Sequence, residues 1–401
     1  MAEPGHPTPD HTPLALHPLV YLEDGDEVTI GRRDTESYAI FPPDGAALVR
    51  RLQDGATPAQ AADWYEAEYG ERADVADVVE ALRELGFVRA EGEPEPVTGP
   101  VRWQRLGRAA FSPAAWTAYG LIVAWAAVSV IRDPGLLPTP DDLVFSHYYA
   151  VITLVLFVVA VPLIAVHEIF HALAGRRLGI RSRTRMSYRF YFLVVETSLD
   201  GLAGVERRKR YLPILAGMVA DVLLIALAVI TAGLAHGLTA RVCAAVAFTT
   251  FIRLLWQFFL YLRTDVYVLI TTVLGCVDLH TTAVRMLANR VNRLLGRTDR
   301  LTDESLWHPV DRRAARWYSW LLPIGYAVSL TTFLWGVGPV FLSMTAASLD
   351  RFGAGHHATW VQLLDAAVFL VLTFGQIAFA LWLAARERLR GRRARLHHVI
   401  A

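Results

Sequence analysis

Several stretches of the chain contain apolar residues over about eighteen or more positions, the length that a helix needs to cross a bilayer. These stretches lie near 112–131, 149–175, 211–235, 240–262, 317–347 and 360–385. The whole chain of 401 residues is 54% hydrophobic, whereas soluble domains are about 45–50% apolar. The sequence therefore predicts an α-helical polytopic membrane protein with about six transmembrane helices.

The two parts of the chain carry opposite net charge. Residues 1–96 contain 7 Lys and Arg against 21 Asp and Glu, whereas residues 97–401 contain 32 against 17. Basic clusters alternate with connections that contain few basic residues, such as 132–147 and 350–359. By the positive-inside rule, this alternation places both termini in the cytoplasm and predicts a multi-pass protein of the inner membrane. The polar, Pro-rich tail of residues 1–13 does not have the pattern of a signal peptide.

Residues 14–90 have the pattern of a small soluble α+β domain with a winged-helix-like shape. Segments rich in β-forming residues begin at Val20, Glu27 and Ser37, and helical patterns begin at Pro43, Pro58 and Val75. Thr57 precedes Pro58 as a capping residue, and Gly86 ends the third helix. A linker over residues 91–105, rich in Pro and Glu at its start, separates this domain from the membrane part.

The order of three strands and three helices resembles the PqqD-like peptide-recognition domain found in the biosynthesis of ribosomally made peptides. The residues that carry the resemblance are Tyr21, Asp24-Gly25-Asp26, Gly45, Leu52, Gly55, Val78, Leu82 and the LGFV segment from Leu85. The resemblance implies that a precursor's leader peptide adds as a strand to the sheet edge. A DNA-binding winged helix has the same shape, but the 7 basic and 16 acidic residues of this domain would repel nucleic acid. A domain without any ligand is the remaining alternative.

Two segments of the membrane part do not fit the pattern of a simple crossing. The apolar run from Asp265 to Asp278 is short and has cytoplasmic flanks, so we predict a re-entrant or half-buried helix that protein covers. The basic stretch 285–316 either lies along the anionic inner leaflet or forms a solvated loop. A basic cytoplasmic tail is expected over 387–401.

A histidine pair interrupts the apolar stretch 149–175. His167 and His171 are four residues apart, so on a helix they share one face and can hold one metal ion. Glu168 follows directly and is placed to act as a general base toward a metal-coordinated water. Charge at membrane depth is costly unless it is paired or functional, which disfavours the alternative of two core histidines and an incidental glutamate.

This segment, followed by Ala172, Gly175 and Gly179, resembles the site-2 protease class of intramembrane zinc metalloproteases. The similarity covers about 149–285 and is closest to the branch of peptide zinc metalloproteases. It implies Zn²⁺ and a third ligand, an aspartate from a later membrane segment. Asp265 matches the branch's D-G-Y-Y-x-L…D-L pattern except that Val266 replaces Gly. Asp221, in AGMVADV, and Asp200, in Leu199-Asp200-Gly201, are the alternatives.

Three polar residues are candidates for supporting roles. Asp221 and Arg253 lie at depths similar to that of Glu168, and we predict that they pair, because neither charge is stable alone in a membrane. Glu196, in the FLVVET segment, is a candidate for a strand edge that holds the substrate extended, as the resemblance implies. A solvated strand residue is the alternative for Glu196.

Together, these features predict a membrane metallopeptidase over residues 106–386 that binds a ribosomally made precursor through residues 14–90 and removes its leader. His167, His171 and Asp265 would hold Zn²⁺, and Glu168 would act as the catalytic base. One alternative is a non-catalytic peptide-binding membrane protein for export or immunity. Another is a site-2-type protease in regulated intramembrane proteolysis.

Overall fold

The computed structural model describes residues 12–25, 27–32, 35, 37–90, 93, 101–180, 183–189, 192–198, 200–332, 334–335, 338–353 and 358–400. The chain is mostly helical and divides into two compact units. The first contains the N-terminal residues up to Ala110 together with Ala172–Arg183 and Ser198–Leu212. The second contains Phe111–His171, Thr184–Thr197 and the chain from Pro213 onward.

The N-terminal domain contains a three-stranded antiparallel sheet followed by three helices, which confirms the elements predicted there. The strands are β1 (Val20–Asp24), β2 (Glu27–Arg32) and β3 (Ser37–Phe41), in the order β1–β2–β3. The helices are α1 (Pro43–Gln53), α2 (Pro58–Tyr69) and α3 (Val75–Glu84).

The N-terminal domain is held by one apolar core and by the predicted helix cap. Ile30, Leu52 and Phe87 are fully buried between the sheet and the helices. Thr57 accepts a hydrogen bond from the Gln60 amide, and the Gln60 side chain accepts one from the Thr57 amide. This reciprocal arrangement satisfies two amides that a helix start leaves without partners.

The sheet has a neighbour from a distant part of the chain that the sequence did not predict. Asp200–Gly204 forms a short 3₁₀ turn that belongs to the first unit and packs against all three strands. Gly204 lies on the ring of Tyr38 so closely that any added Cβ would overlap the ring. This close approach explains why glycine occupies position 204.

Five helices of the described residues are long and apolar enough to cross a membrane. They are α5 (Pro113–Arg132), α6 (Tyr149–Arg177), α7 (Arg207–Leu234), α8 (Gly237–Trp256) and the segment Trp360–Phe379 of α13 (Trp360–Ile400). A sixth crossing results if a bent pair of helices is counted as one span. Between α6 and α7, β4 (Arg183–Arg189) and β5 (Phe192–Ser198) form a two-stranded sheet.

Three predicted segments differ from the observed helices. The predicted span 317–347 is interrupted, because α11 (Pro309–Thr332) ends before α12 (Gly338–Gly353) begins. The predicted span 240–262 ends at Trp256, where α8 gives way to a turn. The basic stretch 285–316 is not a loop, because α10 (Leu279–Leu294) and the first turns of α11 cover most of it. Packing of α10 against α11 stabilises these helices. The many arginines of the stretch hid the helical pattern of its apolar residues.

The apolar run from Asp265 to Asp278 contains a short helix, α9 (Asp265–Leu274), that bends by 88° into α10. This arrangement is either a broken span or a re-entrant segment by geometry alone. Tyr318 of α11 is fully buried, and its hydroxyl donates to the carbonyl of Leu260 in the turn before α9. The turn that leads to Asp265 is therefore held in place by α11.

Helices extend into the stretches that were predicted as linker and tail. Helix α4 (Gln104–Ala110) begins inside the predicted linker. Helix α13 continues to Ile400, so the expected tail of 387–401 is mainly a continuation of that helix. In both places, the helix continues past the point where the sequence changes from apolar to polar, because residues such as arginine are good helix formers.

The N-terminus of α6 is capped by an acidic side chain from α13. Asp365 is buried and accepts hydrogen bonds from the amides of Tyr149 and Ala150, 3.2 and 2.8 Å away. It also accepts a hydrogen bond from Arg351 at 2.6 Å.

We expect Asp365→Ala to lower the free energy of unfolding by about 3 kcal/mol, because it leaves Arg351 without its buried partner. Chemical unfolding in mixed micelles measures this change.

The matched control is Asp350→Ala, because Asp350 is an exposed aspartate in the neighbouring helix α12. Its stability should stay within about 0.5 kcal/mol of the wild type. Equal stabilities for the two variants would show that Asp365 does not hold the start of α6.

Candidate metal site

Two buried histidines lie on one face of α6. The helix continues through Pro162 and carries His167 and His171 four residues apart, so that their rings lie 4.8 Å apart between centroids. Each histidine is only 6% exposed. An uninterrupted helix at this point places both imidazoles toward the same neighbouring helices, as the sequence spacing predicted.

Asp265 reaches the histidines because the chain reverses direction after α8. Arg263 adopts a φ of 57°, a left-handed conformation that is uncommon for residues other than glycine. The Gln257 side chain accepts a hydrogen bond from the Asp265 amide at 3.1 Å, and its carbonyl accepts one from the Thr264 hydroxyl. Asp265 thus begins α9 instead of ending a span. This position explains how a residue with a predicted cytoplasmic flank reaches the histidines of α6.

Three potential ligand atoms form a nearly equilateral triangle. His167 Nε2 and His171 Nε2 lie 3.1 Å apart. Asp265 Oδ2 lies 3.4 Å from the first nitrogen and 3.3 Å from the second. Ligands about 2.0–2.2 Å from a tetrahedral zinc ion are about 3.3–3.6 Å apart. The spacing of the three atoms therefore suits a small tetrahedral ion.

The outer nitrogen of each ring determines its tautomer. His171 Nδ1 lies 2.7 Å from the carbonyl oxygen of Pro213, and His167 Nδ1 lies 3.1 Å from a carboxylate oxygen of Asp221. These two oxygens favour a proton on Nδ1 of each neutral ring, although His167 Nδ1 meets Asp221 at ion-pair distance and not in hydrogen-bond geometry. Each Nε2 is then a lone-pair acceptor that points toward the other and toward Asp265.

In these neutral tautomers three acceptors converge, so a cation or a proton on one Nε2 is needed between them. Asp265 Oδ2 is buried and accepts no hydrogen bond from any residue that the structure describes. Such a group is costly in a site of low dielectric unless a cation satisfies it. Two imidazoles and a carboxylate are typical ligands of a catalytic zinc site, which keeps a fourth position open. The residues fit a zinc ion.

Asp221 is placed to orient a histidine and does not belong to the triangle. It is fully buried, contacts His167 Nδ1, and accepts a hydrogen bond from Arg253 Nη2 at 2.5 Å. The structure thus contains the ion pair of Asp221 and Arg253 that the helix depths predicted. A carboxylate that binds the outer nitrogen of a metal-binding histidine fixes the ring and increases its basicity.

Gly217 is a site residue that the sequence analysis missed. It lies in the interior of α7, and a Cβ added there would overlap the Nε2 atoms of both His167 and His171. Glycine in a helix interior costs about 0.8–1 kcal/mol relative to alanine, so its presence in an apolar span was a usable signal. The Pro213 carbonyl and the Gln257 side chain were also missed, because main-chain acceptors and turn contacts have no motif.

Two other candidates have side chains that the structure does not describe. Glu196 lies in β5 and Asp200 begins the 3₁₀ turn before α7, but both side chains lie outside the described residues. Their predicted roles stay predictions. Glu168 is half-buried and directly follows His167 in α6.

Comparisons of the chain with protein-family models, with curated proteins and with solved structures found no match. The similarities to the site-2 protease class and to the PqqD-like domain therefore rest on the motifs alone. The folded chain adds one observation, which is that His167, His171 and Asp265 form a group that could hold a metal ion.

Proposed function

We propose that the protein is a membrane-embedded zinc endopeptidase. The observation that carries the proposal is the convergence of His167 Nε2, His171 Nε2 and Asp265 Oδ2 within 3.1 to 3.4 Å of one another. The neutral rings and the carboxylate favour a cation between them. His167 and His171 lie in α6, a helix long and apolar enough to cross a membrane, and Asp265 begins the short helix α9 of the bent pair. Zinc, when bound, supplies Lewis-acid polarisation of a water and of a scissile carbonyl.

The residues of the chain have distinct roles in this proposal. Asp221 and the Pro213 carbonyl hold the two imidazole rings in the orientation that presents Nε2. Glu168 takes a proton from the attacking water and returns it to the leaving amine of the cleaved peptide bond. The apolar surroundings exclude bulk water, which strengthens the electrostatic interactions within the site.

We also propose that the N-terminal domain binds the leader of a ribosomally made precursor peptide. Strand β3 lies at one edge of the sheet, because the order is β1–β2–β3. An edge strand presents unpaired amides and carbonyls, to which an extended peptide adds as a further strand. Binding there raises the effective concentration of the precursor at the membrane. In this proposal, both termini face the cytoplasm, and no nucleic acid is bound.

Glu168→Gln tests the proposed catalysis. We expect the detergent-purified variant to keep one zinc ion per chain, because Glu168 is not a ligand. Cleavage of precursor peptides encoded beside the gene should fall by about 10²–10⁴-fold, the contribution of a positioned general base. Elemental analysis measures the metal, and mass spectrometry of the peptide products measures cleavage.

Glu206→Gln is the matched control, because Glu206 is an exposed glutamate that pairs with Lys209 on the surface. It should retain both zinc and cleavage. Undiminished processing by Glu168→Gln would instead support a non-catalytic peptide-binding protein. Purified wild-type protein without stoichiometric zinc would remove the basis of the proposal.

A further inference from the structure

A cavity of about 210 Å³ lies between α6 and α8. Its wall on α6 consists of Leu156, Val159, Ala160, Leu163 and Ile164, and its wall on α8 consists of Val246, Thr249, Thr250 and Arg253. An apolar cavity of about 150 Å³ is already large enough to hold benzene. This cavity is therefore large enough for a branched aliphatic or aromatic side chain.

The cavity ends one turn of α6 before the first histidine of the metal site. Ala160, Leu163 and His167 are spaced by three and four residues, so they lie on one face of the helix, and His171 continues that face. Leu163 precedes His167 by a single turn, a rise of about 6 Å. One face of α6 thus lines the cavity as far as Leu163 and, one turn later, carries the two candidate metal ligands.

Through α8, the cavity also borders the ion pair of Asp221 and Arg253 behind His167. Arg253 lines the cavity and donates to Asp221, and Asp221 contacts His167 Nδ1. One turn earlier, Thr250 is 2% exposed, and its hydroxyl has no hydrogen-bond partner among the described residues. A threonine hydroxyl that is buried without a partner is costly. The cavity therefore suits an occupant that is mainly apolar but carries a polar group, such as an amino-acid side chain with its adjoining peptide unit.

We infer that this cavity is the specificity pocket for a large apolar residue next to the scissile bond. The inference rests on the proposed zinc endopeptidase and adds a substrate class, which is a peptide with a bulky aliphatic or aromatic residue at the cleavage site. A hydrocarbon chain of a lipid fills the apolar wall equally well, but it offers no partner to the Thr250 hydroxyl.

Two zinc-binding probes that differ only in one side chain test the inference. N-acetylleucine hydroxamate and N-acetylglycine hydroxamate carry the same metal-binding group. For the full-length, zinc-loaded protein in detergent, we expect the leucine probe to bind at least about tenfold more tightly, because its isobutyl group leaves water for the cavity. Isothermal titration calorimetry measures both dissociation constants.

Ala160→Leu fills the cavity from within, and we expect it to reduce the preference for the leucine probe to less than about threefold. Ala165→Leu adds the same three carbons at an exposed position of the same helix. This control should retain the wild-type preference. The wild-type ratio tests the inference even if Ala160→Leu does not fold.

The two proposals fail in different ways. Protein that holds no zinc would refute the endopeptidase and this inference with it. Zinc-loaded wild-type protein that binds both probes equally, or binds neither, would overturn the pocket alone. An undiminished preference in Ala160→Leu would likewise show that the isobutyl group lies elsewhere.

Discussion

Gly217→Ala is expected to lower the zinc affinity of the protein by about 100-fold. The added methyl group would overlap the Nε2 atoms of His167 and His171, which are the atoms that face the metal. Overpacking of this kind costs about 1–3 kcal/mol, and about 1.4 kcal/mol corresponds to a tenfold change in affinity. Competition with a chromophoric chelator measures the affinity, and proteolysis should fall with the zinc content.

Gly120→Ala is the control for this substitution. Gly120 lies in α5, where an added Cβ meets no atom within 4 Å. Alanine is a better helix former than glycine by about 0.8–1 kcal/mol, so this variant should keep its zinc and lose no stability. If Gly217→Ala also bound zinc with wild-type affinity, the metal would not lie between these histidines and α7.

We expect replacement of both Asp221 and Arg253 to change the free energy of unfolding little but to lower the zinc affinity. Asp221→Leu alone leaves the Arg253 guanidinium without its buried partner, and we expect a loss of about 3–5 kcal/mol in the free energy of unfolding. The double variant Asp221→Leu/Arg253→Met should recover most of that loss, because apolar residues replace a buried ion pair at little cost. Its zinc affinity should nevertheless stay about 10–100-fold low, because His167 Nδ1 has lost its acceptor.

The second buried ion pair provides the control. Arg351 and Asp365 also pair within the second unit, but they lie at the other end of α6 from the histidines. Arg351→Met/Asp365→Leu should leave zinc affinity unchanged and lower stability only through the lost cap of α6. A double variant of Asp221 and Arg253 that binds zinc as tightly as the wild type would show that the carboxylate does not orient His167.

The sequence by itself determined the elements whose signals are local. Hydrophobic runs that are longer than a core helix requires predicted most of the membrane-spanning helices. The cap formed by Thr57 and Pro58 predicted the start of α2. The spacing of His167 and His171 predicted their common face, because helix geometry alone relates residues four apart. Depth along the spans also predicted the pairing of Asp221 with Arg253, since an unpaired charge in a membrane is costly.

Only the tertiary structure decided which aspartate joins the histidines. Asp221, Asp265 and Asp200 were all compatible with the sequence. Helix α7 presents Asp221 to the outer nitrogen of His167, and the side chain of Asp200 lies outside the described part of the chain. Asp265 reaches the inner nitrogens only through a left-handed turn at Arg263 and the contact with Gln257. The role of Gly217 and the helical state of the stretch after Asp278 likewise depend on packing between helices. Such contacts join residues far apart in the chain, so no local pattern of sequence contains them.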